Sequence, residues 1–261
     1  MNPASLTTAD DALARAIVYR TLSIGFQAPT DDRLHGVGAR EGFPVPTAAL
    51  RHLERSPANA MLEGAAERLA SVAPVDEETL AASFARLFGH TLRGPICACE
   101  TEYGADNSFH QPQQLADISG YYLAFGLRPF VASEARVDHI ACELEFMDFL
   151  SRKQALLAAS EELQSPPDLE TAEATRLAER AFLKDHLARF GRAFATRLVT
   201  EEPDGYFGAL GHTLLAFLSA ECERLGVEAG PADLAVRPDT ADDTPMACGS
   251  ADELIQIQRK P

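Results

Sequence analysis

The residue types with most chemical potential sit around Asp138-His139 and Glu143-Leu144-Glu145. His139 and Glu143 are four positions apart, a spacing that lets an imidazole and a carboxylate meet as an acid–base pair on one helix. Glu102 and Tyr103 add a carboxylate and an aromatic ring upstream, and Tyr121 and Phe125 share a helical stretch between the two segments. Carboxylates beside aromatic surface suit an arginine-bearing, partly apolar peptide: guanidinium pairs with a carboxylate in two parallel hydrogen bonds, and the apolar remainder needs a groove. Asp138, His139, Glu143, Tyr121, Phe125, Glu102 and Tyr103 are therefore the candidate peptide-binding residues. Each also has a plainer reading, Asp138 as a helix cap, His139 as a core histidine and the tyrosines as core.

Other chemistries find less support. No G-x-x-x-x-G-K-[ST] loop is present, and no G-x-S-x-G elbow. No glutamate has a histidine three residues later, so the paired motif of di-iron bundles is missing. Cys97-x-Cys99 with His110 downstream is the one set suggesting a metal or redox centre, but no second cysteine pair stands at zinc spacing. No catalytic residues and no cofactor are expected.

The elements that would position these residues read as helices almost throughout. Ile140, Leu144, Met147 and Leu150 follow the i, i+4, i+7 template within Arg136–Ser160. Similar stripes run through Asp10–Phe26, Thr47–Arg55, a helix capped by Ser56-Pro57, one opened by Asp76-Glu77-Glu78, one opened by Pro112, Leu169–Leu198, and a last helix from Pro203 to Leu225. Gln27–Pro46, with Gly36, Gly38, Gly42, Pro44 and Pro46, reads as a loop. No alternation of period two and no Val/Ile-rich strand appears. The fold class is all-α, a single bundle of about eight to ten helices. Residues 1–226 form the helical domain, with a hinge near 126–137, and residues 227–261 form an acidic tail rich in Pro and Gly.

Charge and composition narrow the partners. Lys and Arg number 23 against 39 Asp and Glu, for a net charge of −16. This excludes a nucleic-acid binder, which needs surplus cations, and favours a basic polypeptide partner. No run approaches the length of a membrane span, and the N-terminus lacks a secretory pattern, so the chain is expected in the cytoplasm. Ala251–Lys260 combines Leu254, Ile255 and Ile257 with Arg259 and Lys260 as a client peptide would; a disordered end is the expectation, with occupancy of its own or a neighbour's groove as the alternative.

Tyr121-Tyr122-x-x-Phe125-Gly126-Leu127, then Asp138-His139 and Glu143-Leu144-Glu145-Phe146-Met147, resembles the hinge and following helix of the TorD/DmsD/NarJ family of redox-enzyme maturation chaperones. Asp185-His186-Leu187-x-x-Phe190 resembles the family's His-Leu-x-x-Trp stretch, with Phe in place of Trp. Val137 stands where the family often has Pro. Glu100-Thr101-Glu102-Tyr103-Gly104 is similar to the segment of chaperones serving ethylbenzene, selenate and chlorate-type enzymes. The resemblance covers about Asp10 to Leu225. It implies a TorD-like chaperone without catalysis that binds the twin-arginine signal peptide of a molybdopterin oxidoreductase's catalytic subunit. Such a chaperone aids cofactor insertion before export and is a monomer or homodimer. The alternatives are a helical metal or redox protein using Cys97, Cys99 and His110, or a generic helical adaptor.

Overall fold

A computed structural model describes residues 8–54, 60–89, 95–104, 110–128, 136–162 and 169–237. Ten α-helices account for most of these residues. They are α1 (Ala9–Gly25), α2 (Asp31–Gly36), α3 (Pro44–Leu53), α4 (Ala60–Ala70), α5 (Glu77–Phe88), α6 (Gln111–Ala124), α7 (Ile140–Glu162), α8 (Leu169–Phe182), α9 (Ala188–Glu201) and α10 (Tyr206–Leu225). Among the described residues no β-strand occurs, only two isolated bridges. The all-α bundle expected from the stripes is the fold observed.

Local signals start and stop these helices as their chemistry requires. Thr8 accepts from the amide of Asp11 and Asp76 from the amide of Thr79, each quenching an orphan N–H of the first turn. Gly226 ends α10 in the left-handed region at φ 60°, and the amide of Val227 then reaches back to the carbonyl of Cys222. Ser56-Pro57 lies outside the described residues.

The core is built where the stripes meet. α1 lies along α7, α9 along α10, and α3 and α4 close the side against α1 and α10. Ile140, Leu144, Met147 and Leu150 are fully buried, as are Leu187 just before α9 and Phe190, Phe194 and Leu198 on it. Phe26, Phe88, Phe194 and Phe207 make edge and stacked contacts at the centre.

Four boundaries differ from the sequence expectation, each for a visible reason. Gln27–Pro46 contains α2, capped by Thr30, and α3 begins at Pro44, where proline's missing N–H costs nothing. α10 starts at Tyr206, because Glu202 turns back to accept from the amide of Phe207. α8 and α9 run on through a single π-turn, Leu183–Leu187. Finally, α7 begins at Ile140, so Asp138 and His139 precede the helix and are not in its first turn. Their backbones pair with another segment: the amide of Glu100 donates to the carbonyl of Asp138, and that of Ile140 to Ala98.

Candidate functional site

That pairing brings together two segments that the sequence separates by nearly forty residues. The chain from Ala98 to Glu100 runs antiparallel to Asp138–Ile140, and a 3-10 turn, Glu100–Glu102, follows directly. Arg136, just outside the pairing, folds its guanidinium over the turn. Its Nε and Nη2 donate to Oδ1 and Oδ2 of Asp138, each at 2.9 Å, and its Nη1 to Oε1 of Glu102 at 2.8 Å. Its Nη2 also donates to the hydroxyl of Thr101. Thr101 in turn gives Asp138 its hydroxyl at 2.8 Å and its amide at 3.1 Å. Gln111, at the start of α6, donates to both Thr101 Oγ1 and Glu102 Oε1 at 3.1 Å.

Asp138 is 0% exposed at the centre of this hub. A buried carboxylate is tolerated only when charge and hydrogen bonds surround it, and Arg136 with Thr101 supplies both. The neighbouring carboxylates drive the Arg136 guanidinium further toward its charged form, against the opposing effect of burial. Asp138 thus faces inward and fixes the loops. Glu102, half-buried, carries the hub's acidity toward the surface.

His139 caps rather than binds. Its Nδ1 accepts the amide of Ala141 at 3.2 Å, so the proton of the neutral ring sits on Nε2. Burial lowers its pKa to about 4, reinforcing the neutral form. Glu143 does not pair with His139. Its carboxyl is fully buried, and burial, then the Glu100 and Asp138 carboxylates, pushes its pKa well up, favouring the protonated form that can donate to Glu100. Glu143 therefore sits in the core as a neutral acid. Tyr103 is buried as well, its hydroxyl donating to the carbonyl of Cys97 at 2.7 Å and its ring against Phe190.

A second carboxylate, Glu100, anchors the same turn to the π-turn of the long helix. His186 Nδ1 stands 3.0 Å from Glu100 Oε2, and Arg189 Nη1 donates to Oε1 at 3.2 Å. His186 and Arg189 stand three positions apart where the π-turn passes into α9, so both reach the same carboxylate. On its far edge, His186 Nε2 is 3.3 Å from Asp117 of α6.

Asp117 opens onto solvent. It lines a recess of about 440 Å³ with His110, Gln113, Gln114 and Ala116. Tyr121, one turn further along α6, stacks edge-on against Phe182 and His186. Its phenol is pushed up by burial and then by the carboxylates of Asp185 and Asp117. Half-buried Tyr121 is thus an aromatic rung between two accessible acids. Phe125 packs on Phe146 and Phe149, and the Lys153 ammonium lies over its ring at 5.2 Å. That face already holds a cation of the protein's own.

The seven candidates accordingly gather in one region but face different ways. Tyr121, Phe125 and Glu102 reach its outer side, whereas Asp138, Glu143 and Tyr103 lie within it and His139 joins the two. Arg136, Thr101, Gln111, Glu100, Asp117 and Asp185 were missed as site residues. Asp185-His186 and Glu100-Thr101 left a mark in the sequence, through the family resemblance. Cys97, Cys99 and His110 do not assemble: both thiols are buried, His110 is exposed, and among the described residues no group of three or more His, Cys, Asp or Glu could hold a metal.

A perchlorate reductase assembly chaperone protein from Dechloromonas aromatica (strain RCB) is 27% identical over 216 residues, 83% of this chain and 92% of that protein. No solved structure matches. The nitrate reductase delta subunit family matches residues 53–196, a stretch that contains the Glu100–Glu102 turn, Tyr121, the Asp138 hub and His186; the chain belongs to that family.

Proposed function

We propose that this protein is a cytoplasmic assembly chaperone for the catalytic subunit of a molybdenum oxidoreductase, which it holds for cofactor insertion before export. The observation that carries this reading is the alignment with an assembly chaperone over nearly that protein's full length. The geometry adds a surface suited to such a client. Tyr121 between Asp117 and Asp185 offers a stacking face and two carboxylates to a guanidinium, as an arginine-rich signal peptide needs.

In this reading Tyr121, Phe125 and Glu102 meet the client directly. Asp138, His139, Glu143 and Tyr103 act through the loops that they hold. The protein binds and releases; it turns nothing over.

Calorimetry with a peptide carrying Arg-Arg before an apolar run tests the reading. Binding should weaken on an Arg-Arg to Lys-Lys exchange, because ammonium cannot form the planar two-bond pairing. Binding indifferent to that exchange would remove the guanidinium role. Co-purification of an oxidoreductase catalytic subunit from the native host tests the client class independently.

A further inference from the structure

Beyond Gly226 the chain does not leave the molecule. Residues 227–237 cross α9, turn at Ala232-Asp233, and then run along the turn that carries Glu102. Arg180 Nε and Nη2 hold the carbonyls of Leu225 and Gly226 at the exit from α10. The amide of Gly230 donates to the carbonyl of Ala188 at 2.9 Å, and Arg192 Nη1 to the carbonyl of Gly230 at 3.3 Å. Arg197 Nη2 reaches the carbonyl of Leu234 at 3.3 Å. Val236 then forms an antiparallel bridge with Tyr103, in which Gly104 donates to Ala235 and Arg237 donates to Glu102, each at 2.8 Å.

This is the pattern of a strand added to a free backbone edge. Leu234 and Val236 turn toward the core and Ala235 away, the alternation expected when pockets take every second side chain. The added strand comes from this chain itself, and its attachments are few. Over residues 234–237 they are two backbone hydrogen bonds, each worth about 1 kcal/mol net, one bond from the Arg197 side chain to the carbonyl of Leu234, and two half-buried apolar residues. An edge next to Glu102 that accepts an apolar stretch ending in arginine, Leu234-Ala235-Val236-Arg237, has the chemistry of a basic signal segment.

We propose that the backbone edge of Glu102–Gly104 is a strand-addition seat for an extended client segment, held in the free protein by its own residues 234–237. The seat takes alternate apolar side chains with a basic one beside them, and the client enters by displacing the strap. This rests on the chaperone reading for the identity of the client, not for the existence of the seat.

Gly230 gives the means of testing it. A Cβ there would fall against the backbone oxygens of Arg189 and Ala188 in α9, so Gly230→Val should lift the strap without touching the edge. A labelled peptide with the sequence Pro231–Pro238 is the probe, and anisotropy with full-length protein is the readout. It should bind the Gly230→Val chain at least ~10-fold more tightly than the unaltered chain, whose tethered strap competes at high effective concentration. Val236→Asp within the full chain should act in the same direction, and it carries the test if Gly230→Val loses helical content. The peptide bearing the same Val236→Asp change should not bind. Equal affinity for altered and unaltered chains, or binding by the altered peptide, overturns the seat. A peptide with Arg-Arg before an apolar run should then displace the probe. If it binds in calorimetry yet leaves the probe in place, the seat as client site is overturned while the chaperone reading stands. If the probe obeys every expectation but no arginine peptide displaces it or binds, the proposed client is wrong, and the strap is only a closure.

Discussion

Two buried polar clusters sit in this bundle, and they solve the same problem in opposite ways. One joins α1, α7, α8 and α10. Arg224 grips Glu179 at 2.7 Å and Glu221 at 2.7 and 2.8 Å, Tyr19 donates to Glu221 at 2.9 Å, and Gln154 links Glu179 to Arg15. Two arginines face two glutamates there, so charge closes. The other gathers Glu100, Glu102, Asp138 and Glu143 around Arg136 and Arg189. Four acids face two arginines and the His186 ring, and the crowding of carboxylates favours the protonated form of Glu143. A balanced cluster can only clasp helices together. An acid-rich one beside the surface keeps a standing demand for a cation from outside.

Breaking the clasp should have the largest effect on stability. Arg224→Ala would leave Glu179 and Glu221, 0% and 3% exposed, with only Arg15 between them. Stranding buried carboxylates in this way costs ~3–5 kcal/mol. A drop of that size in urea unfolding is expected, with peptide affinity unchanged below the transition. A loss of affinity in the still-folded variant would mean that the two clusters are coupled.

Arg136→Ala strikes the other cluster and should separate it from the first. Asp138 loses its two-bond partner, but Thr101 still donates to it, and Arg136 is itself partly exposed. A cost of about 2–4 kcal/mol follows from an unpaired buried carboxylate that keeps neutral donors. Unlike the Arg224 change, this one should also weaken the Arg-Arg peptide several-fold, because the Glu100–Glu102 turn loses its support. Arg136→Lys should recover part of the stability but not the planar grip.

How much of this contrast was legible in the sequence depends on the kind of bond. The helices were, because Ile140, Leu144, Met147 and Leu150 bury in the order that their spacing announces. The Asp138–Thr101 contact spans 37 positions and the Glu100–His186 contact 86, and no periodicity encodes such pairings. Side-chain types alone therefore marked Asp138 and Glu143 as outward-facing groups, whereas both are buried. Their burial follows from backbone pairing at Ala98–Glu100, a segment without apolar rhythm. The strap was missed for a related reason: what it offers the bundle is backbone amides and carbonyls, which every residue has, and the arginines that hold them lie 37 or more positions away. Composition correctly marked residues 227–237 as non-helical, yet it could not say what they lean against. The basic segment Ala251–Lys260, for which a disordered end is the expectation and groove occupancy the alternative, lies outside the described residues.

Protonation sharpens the comparison further, with smaller energies. The pKa of Glu143 is raised well above 4.5, so the folded state keeps a proton that the unfolded chain releases. Stability from this group therefore falls as pH rises from 4.5 toward the folded value. His139 works in the other direction. Lowered from 6.5 to about 4, it makes the fold weaken as pH drops from 6.5 toward 4, and the two slopes oppose each other between 4.5 and 6.5. Above pH 6.5 the Glu143 slope stands alone of the pair. Glu143→Gln should shift stability at pH 6 by no more than ~1 kcal/mol, as one neutral polar group replaces another. It should also gain on the unaltered protein steadily from pH 6.5 to 8. Parallel pH curves would show that Glu143 is ionised in the fold.

The smallest effect on stability should accompany a clear effect on binding, and it tests whether the acid surplus has a purpose. Asp117 and Asp185 are accessible, and Asp185 pairs only with the equally exposed Lys184 at 3.1 Å among its recorded ion pairs. Surface pairs of this kind contribute ~0–1 kcal/mol. Asp117→Asn with Asp185→Asn should therefore leave the unfolding midpoint within about 0.5 kcal/mol of its original value. The same double change removes both carboxylates flanking Tyr121, and each charge-assisted hydrogen bond lost is worth ~1.5–3 kcal/mol before screening. Affinity for the Arg-Arg peptide should fall about tenfold or more at low ionic strength, and the gap between variant and original should narrow as salt is added. The Lys-Lys peptide, which never had the planar pairing, should lose less. An affinity untouched by the double change would place guanidinium capture at Glu102 instead, beneath the strap, and would make strap displacement the step that controls binding.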